Sequence, residues 1–196
     1  MPIRAVFFDV GETLVDETHF WGEIADAAGM PRFTFFGVIG GLAARGESHR
    51  RVFELLGVDP PVSAGFRAED LYADALPCLR ELRGRGYLLG AVGNTGVQVE
   101  AMLAGLVDIV GSSERWRVEK PSPEFFARLV SEAGRPAGEV AYVGDRVDND
   151  VLPALGAGMV AVHLRRGPWG YLHDAPAEAI RVDSLAELPA ALASRP

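Results

Sequence analysis

Phe7-Phe8-Asp9-Val10-Gly11-Glu12-Thr13-Leu14 is the stretch from which the architecture of this 196-residue chain unfolds. The apolar run from Ile3 to Phe8 reads as a buried strand, and a carboxylate stands where it ends. Gly11 then permits an unusual backbone turn. An aspartate in this position can act as a nucleophile and bind a hard cation through one oxygen. A turn aspartate that caps the following helix is the alternative reading of the same residues.

Further apolar runs follow at Tyr87 to Val92, Asp108 to Val110, Val140 to Val143 and Met159 to Leu164. Helical patterns lie between the later ones, at Val97 to Leu106, Pro123 to Ala133 and Asn149 to Ala157. Alternating strand and helix predict a doubly wound α/β core with a parallel, Rossmann-like sheet and right-handed crossovers. Ligands in such cores bind at the carboxyl ends of strands. Asp9, Asn94, Thr95 and Asp145 all fall there. Between Leu14 and Leu76 no comparable strand occurs, only helix-like stretches near Phe20 to Ala28, Gly40 to Leu56 and Glu69 to Ala75. Gly57-Val58-Asp59-Pro60-Pro61 punctuates them as a loop. A plain crossover needs far fewer residues, so this interval predicts a helical cap inserted after the first strand. The division is then a core of 1–14 and 77–196 and a cap of 15–76. The tail predicts a peripheral strand near Ile180 to Val182 and a last helix from Ser184.

Lys120 is the one lysine among 19 basic residues. It precedes Pro121 in Glu119-Lys120-Pro121-Ser122-Pro123, where a helix can begin at about Ser122. An ammonium is a compact point charge that can contact a phosphoryl oxygen and a carboxylate together; a leftover surface lysine is the plainer reading. Gly144-Asp145-Arg146-Val147-Asp148-Asn149-Asp150 crowds three acids into six residues after another apolar run. A bound cation would relieve that crowding, although acids at a helix N-terminus also favour the helix dipole.

Taken in order, these signals resemble the haloacid dehalogenase superfamily of hydrolases over roughly Ile3 to Gly167. The matching features are the Asp9 motif, the insertion, a strand ending in Gly93-Asn94, then Lys120-Pro121 and Gly144-Asp145 through Asp150. The resemblance implies that Asp9 is a nucleophile forming an aspartyl phosphate. It implies Mg²⁺ held by Asp9, Asp145 and the Gly11 carbonyl, with Lys120 on the nucleophile and the phosphoryl group and Asp150 supporting metal or lysine. Two positions depart from the family pattern. Most phosphatases of the group carry a second aspartate, which protonates the leaving alcohol, where Gly11 stands. Gly93 stands where a Ser or Thr hydroxyl usually meets the phosphoryl group, which leaves Asn94 and Thr95 as candidate substrate-binding residues. Glu12 is adjacent to the missing acid but should point elsewhere.

The implied activity is that of a phosphatase acting on a small phosphorylated molecule beneath the cap. A non-catalytic, regulatory binding protein of the same fold is the rival that Gly11 and Gly93 keep open. Dehalogenation needs no metal, which the two intact aspartates argue against, and phosphonate cleavage typically adds a cap lysine that is absent here. Composition fits a soluble globular protein, with 48% hydrophobic and 23% charged residues. A net charge of −8 gives no footprint for nucleic acid, and no apolar run reaches a membrane span. One cysteine, Cys78, excludes an internal disulfide framework. With no secretory signal read at the N-terminus, the cytoplasm is the expected compartment. In the cap, Phe20, Trp21, Phe33, Phe35 and Phe36 are candidates for a small core or a pocket. Arg45, Arg50 and Arg51 read as a solvated face or anion contacts. Oligomeric state is not legible.

Overall fold

The molecule, a computed structural model, is described over residues 2–60 and 65–194. Six strands among these residues form one sheet: β1 (Ala5–Phe8), β2 (Leu88–Gly93), β3 (Ile109–Ser112), β4 (Val140–Gly144), β5 (Val160–Leu164) and β6 (Ile180–Val182). Their order is β3-β2-β1-β4-β5-β6, and every pairing is parallel. β1 is four apolar residues, all buried, because both sheet faces are covered. Its side chains alternate between faces: Val6 and Phe8 pack with one cluster, Ala5 and Phe7 with another.

Among the described residues ten α-helices accompany this sheet. They are α1 (Thr18–Ala27), α2 (Arg32–Ala44), α3 (Arg51–Leu56), α4 (Ala75–Gly84), α5 (Val97–Leu103), α6 (Ser113–Trp116), α7 (Pro123–Ala133), α8 (Leu152–Gly156), α9 (Gly167–Leu172) and α10 (Leu188–Ala193). On the first face lie residues of α4, α5 and α10; on the second lie those of α7 and α8. α7 shows how locally the sequence specifies its part. Ser122 caps it through the Glu124 N–H, Pro123 opens it, and Gly134 closes it in the left-handed conformation. Phe125, Phe126, Leu129 and Ala133 then face the sheet, where full burial of a Phe or Leu contributes about 1.5–3 kcal/mol.

α1, α2 and α3 build the insertion around their own cluster of Ile24, Phe35, Ile39, Leu42 and Val52. The stretch expected from Gly40 to Leu56 is two helices, because the chain turns at Gly46, whose φ is +67°. Pro61, the last residue of the expected 57–61 loop, lies outside the described residues. Where helix was expected from Glu69 to Ala75 there is only a 3₁₀ turn, Ala68–Asp70. The chain then returns along the path by which it left: Val15 bridges Leu71 in antiparallel fashion, and the Tyr72 N–H donates to the Leu14 carbonyl. α4 follows, with its buried residues on the sheet. Among the described residues no single helix is long and apolar enough to cross a membrane.

Candidate active site

Phe8 is registered with Val143, so the residues that follow β1 and β4 emerge side by side at the carboxyl edge. The ladder continues one step, with the Asp9 N–H donating to the Val143 carbonyl at 2.8 Å. Asp145 follows β4, and a π-type turn over Val147–Val151 brings Asp150 back beneath it. This wide turn replaces the start of the helix expected from Asn149. Ligand-capable oxygens of Asp9, Asp145 and Asp150 all lie within 4.8 Å of one another.

Lys120 enters this cluster from the loop before α7. Its Nζ lies 2.6 Å from Asp9 Oδ1 and 2.5 Å from Asp150 Oδ1, and the residue is only 3% exposed. Burial disfavours the ammonium, but the Asp150 and Asp9 carboxylates outweigh it and hold the lysine charged well above its ordinary range. Burial also pushes Asp150 up to about 6 against the pull of Lys120. Asp145 has no ion-pair partner among the described residues. Burial raises its carboxyl strongly, with Asp150 and Asp9 pushing the same way. Three buried carboxylates facing a single ammonium form an oxygen-rich donor set that suits a hard divalent cation.

Asn94 turns its side chain to the Lys120 backbone. Its Oδ1 accepts from the Lys120 N–H at 2.7 Å and its Nδ2 donates to the Lys120 carbonyl at 2.9 Å, so the side chain anchors the lysine backbone. Thr95 Oγ1 is buried without a hydrogen-bond partner, and both residues line the central cavity. A Cβ at Gly93 would approach Asp9 Oδ1 to 2.7 Å, so the glycine gives the nucleophile candidate its room.

Glu12 adopts a left-handed φ of +49°. Its Oε2 accepts from the Tyr72 hydroxyl at 2.7 Å and its Oε1 from the Glu17 N–H at 3.0 Å, which ties the carboxyl into the neck between sheet and insertion. Glu17, which the sequence reading did not single out, lines the cavity with one oxygen beside Gly11 and the other accepting from Trp21 Nε1 at 2.9 Å. Burial and then the Glu12 carboxylate push its own carboxyl up to about 8.

The cavity has a volume of about 410 Å³ between the sheet edge and the insertion. His49 and Trp169 form its upper wall, their rings 5.9 Å apart and nearly perpendicular. Burial, then the Arg146 and Arg50 charges, lower His49 to about 4, so it is neutral near pH 7. Of the three candidate arginines of the cap, Arg50 reaches the cavity, and Arg45 and Arg51 pair with Glu47. Phe35 is in the insertion's core and Phe33 is 92% exposed, whereas Phe20 and Trp21 line an adjoining lobe. Phe36 packs against the core that holds Phe35, so four of the five aromatic candidates take one of the two expected roles and Phe33 takes neither.

A parallel sheet with an acidic cluster and a lysine at its carboxyl edge, beneath a helical insertion, defines a class of hydrolases. A family model of haloacid dehalogenase-like hydrolases matches residues 3–158, and the chain belongs to that family. It is 36% identical over 146 residues to the glyceraldehyde 3-phosphate phosphatase of Methanopyrus kandleri, covering 63% of this chain and 62% of that protein. With the enzyme of the same name from Methanocaldococcus jannaschii it shares 34% identity over 123 residues, 60% of this chain and 54% of the relative. The match thus spans little more than half the length of these curated relatives. In structure it is similar to a HAD phosphatase from Thermococcus onnurineus, at a TM-score of 0.64 and 24% identity, with 97% of this chain and 98% of that chain covered.

Proposed function

We propose that the chain is a Mg²⁺-dependent phosphatase that hydrolyses a small phosphorylated substrate through an aspartyl phosphate on Asp9. The observation that carries this reading is the Lys120 ammonium, buried and bridging Asp9 and Asp150 within 2.6 Å. A lysine so placed keeps Asp9 ionised and oriented for attack on phosphorus, and supplies positive charge where the phosphoryl oxygens arrive. Asp150 holds the ammonium in place, and Asn94 fixes the backbone that carries it. Asp9, Asp145 and the Gly11 carbonyl are the residues that would hold Mg²⁺, which when bound supplies charge stabilisation to the transferring phosphoryl group. Thr95, with its unpartnered hydroxyl, is a substrate contact.

A cavity of about 410 Å³ suits a compact ester, and the two curated relatives are named for a triose phosphate; a substrate of that size is our reading. Turnover of p-nitrophenyl phosphate and acetyl phosphate should require Mg²⁺ and vanish in Asp9→Asn. A broad phosphate panel without turnover, in a protein that still binds Mg²⁺, would favour the regulatory reading.

A further inference from the structure

Hydrolysis of a phosphate ester needs a proton for the departing oxygen and, later, removal of a proton from water. Gly11 stands where most phosphatases of the family carry the aspartate that serves as the acid, and it has no side chain. Its backbone is not in the left-handed region, so local conformation does not demand glycine. What stands in that space is Glu17: a Cβ built on Gly11 would overlap Glu17 Oε1, and would lie only 2.8 Å from its carboxyl carbon. The Glu17 carboxyl therefore occupies the volume that a side chain at position 11 would take. Trp21 Nε1 holds its far oxygen, leaving Oε1 directed toward Gly11 in the cavity shared with Asp9 and Lys120. Glu12, the sequence neighbour, has both oxygens engaged by Tyr72 and the Glu17 N–H.

Resting on the phosphatase reading, we propose that Glu17 is the general acid–base of this site, a catalytic residue delivered from the start of the insertion into the place of an absent side chain. In the first step an Asp9 oxygen bonds to phosphorus and the bond from phosphorus to the ester oxygen breaks. The Glu17 proton passes to that oxygen, giving the free alcohol, aspartyl phosphate and the Glu17 carboxylate. In the second step the carboxylate takes a proton from water as the water oxygen bonds to phosphorus. The bond to Asp9 breaks, phosphate leaves, and the Asp9 carboxylate and Glu17 carboxyl are restored. Glu17 immediately precedes α1, so the proton donor is carried by the insertion and the nucleophile by the sheet.

The test compares glycerol 3-phosphate, whose alkoxide needs a proton, with acetyl phosphate, whose leaving group needs little. In Glu17→Gln, kcat/KM for glycerol 3-phosphate should fall by about 10²–10⁴-fold, and the preference for acetyl phosphate should rise by at least about tenfold on the same basis. The variant given acetyl phosphate should also accumulate protein carrying one added phosphoryl group, since water is no longer deprotonated. Gly11→Asp alone puts two carboxyl groups into one volume and should lose activity. In a Glu17→Ala background it should recover glycerol 3-phosphate turnover, provided that circular dichroism and Mg²⁺ calorimetry match the natural protein. If Asp9-dependent turnover stands but Glu17→Gln lowers both substrates equally without phosphoenzyme, or the double variant folds and recovers nothing, this inference falls alone. If the natural protein turns over neither substrate, or Asp9→Asn remains active, the phosphatase reading falls and takes it along.

Discussion

Lys120 has no freedom to become arginine. Its buried ammonium sits between two carboxylates at the cavity wall, and a planar guanidinium with five fixed donors cannot occupy a point-charge position. Turnover in Lys120→Arg should be nearly as low as in Lys120→Ala; full activity in the arginine variant would remove the lysine from the phosphoryl site. Asp145→Asn should abolish Mg²⁺ binding in calorimetry, because it deletes the buried carboxylate that has no ion-pair partner among the described residues. Asp9, Lys120, Asp145 and Asp150 were legible in the sequence because apolar strands or a Lys-Pro break frame them. Glu17 was not, since it lies six residues past Gly11 in a segment without strand or motif. The clue was negative: a glycine where an acid was wanted leaves room for an acid from elsewhere.

At the scale of elements, Asp74 fastens three of them together. Its Oδ2 accepts from Arg166 Nη2 after β5, from Ser184 Oγ and from the Leu185 N–H, while the residue itself stands at the head of α4. Burial opposes its ionisation, but these donors prevail and hold it below its ordinary 3.8. A carboxyl lowered on folding contributes stability that is present above about pH 4 and lost as pH falls through the depressed native value. Asp74→Asn should therefore cost about 1–3 kcal/mol near neutral pH, and urea titrations should show the difference shrinking below pH 4. The sheet strands were readable to within a few residues because each is a short apolar run, whereas α4 and α9 were missed. Each carries a proline, Pro77 and Pro168, in its first turn, where the missing N–H costs nothing.

Across the whole molecule the insertion is coupled to the sheet domain through Trp169, which belongs to α9 but is buried in the insertion's cluster. Removing so large a buried ring typically costs about 3–5 kcal/mol. Hydrogen exchange in Trp169→Ala should accelerate across residues 18–56 more than across the sheet; uniform acceleration would mean that the ring is not a specific tether. The alternating strands and helices announced the layered core, and the long strandless interval announced the insertion, but contact between α9 and α2 depends on folding in space that no local pattern records. The central position of β1 has a consequence for synthesis. This strand must wait for partners at residues 88–91 and 140–143, so the apolar Ala5–Phe8 segment leaves the ribosome long before its ladder can close. Until then it depends on chaperone shielding or transient collapse to avoid pairing with other chains. Nascent chains stalled before Val140 should sediment as aggregates, whereas those extended beyond β4 should stay in solution.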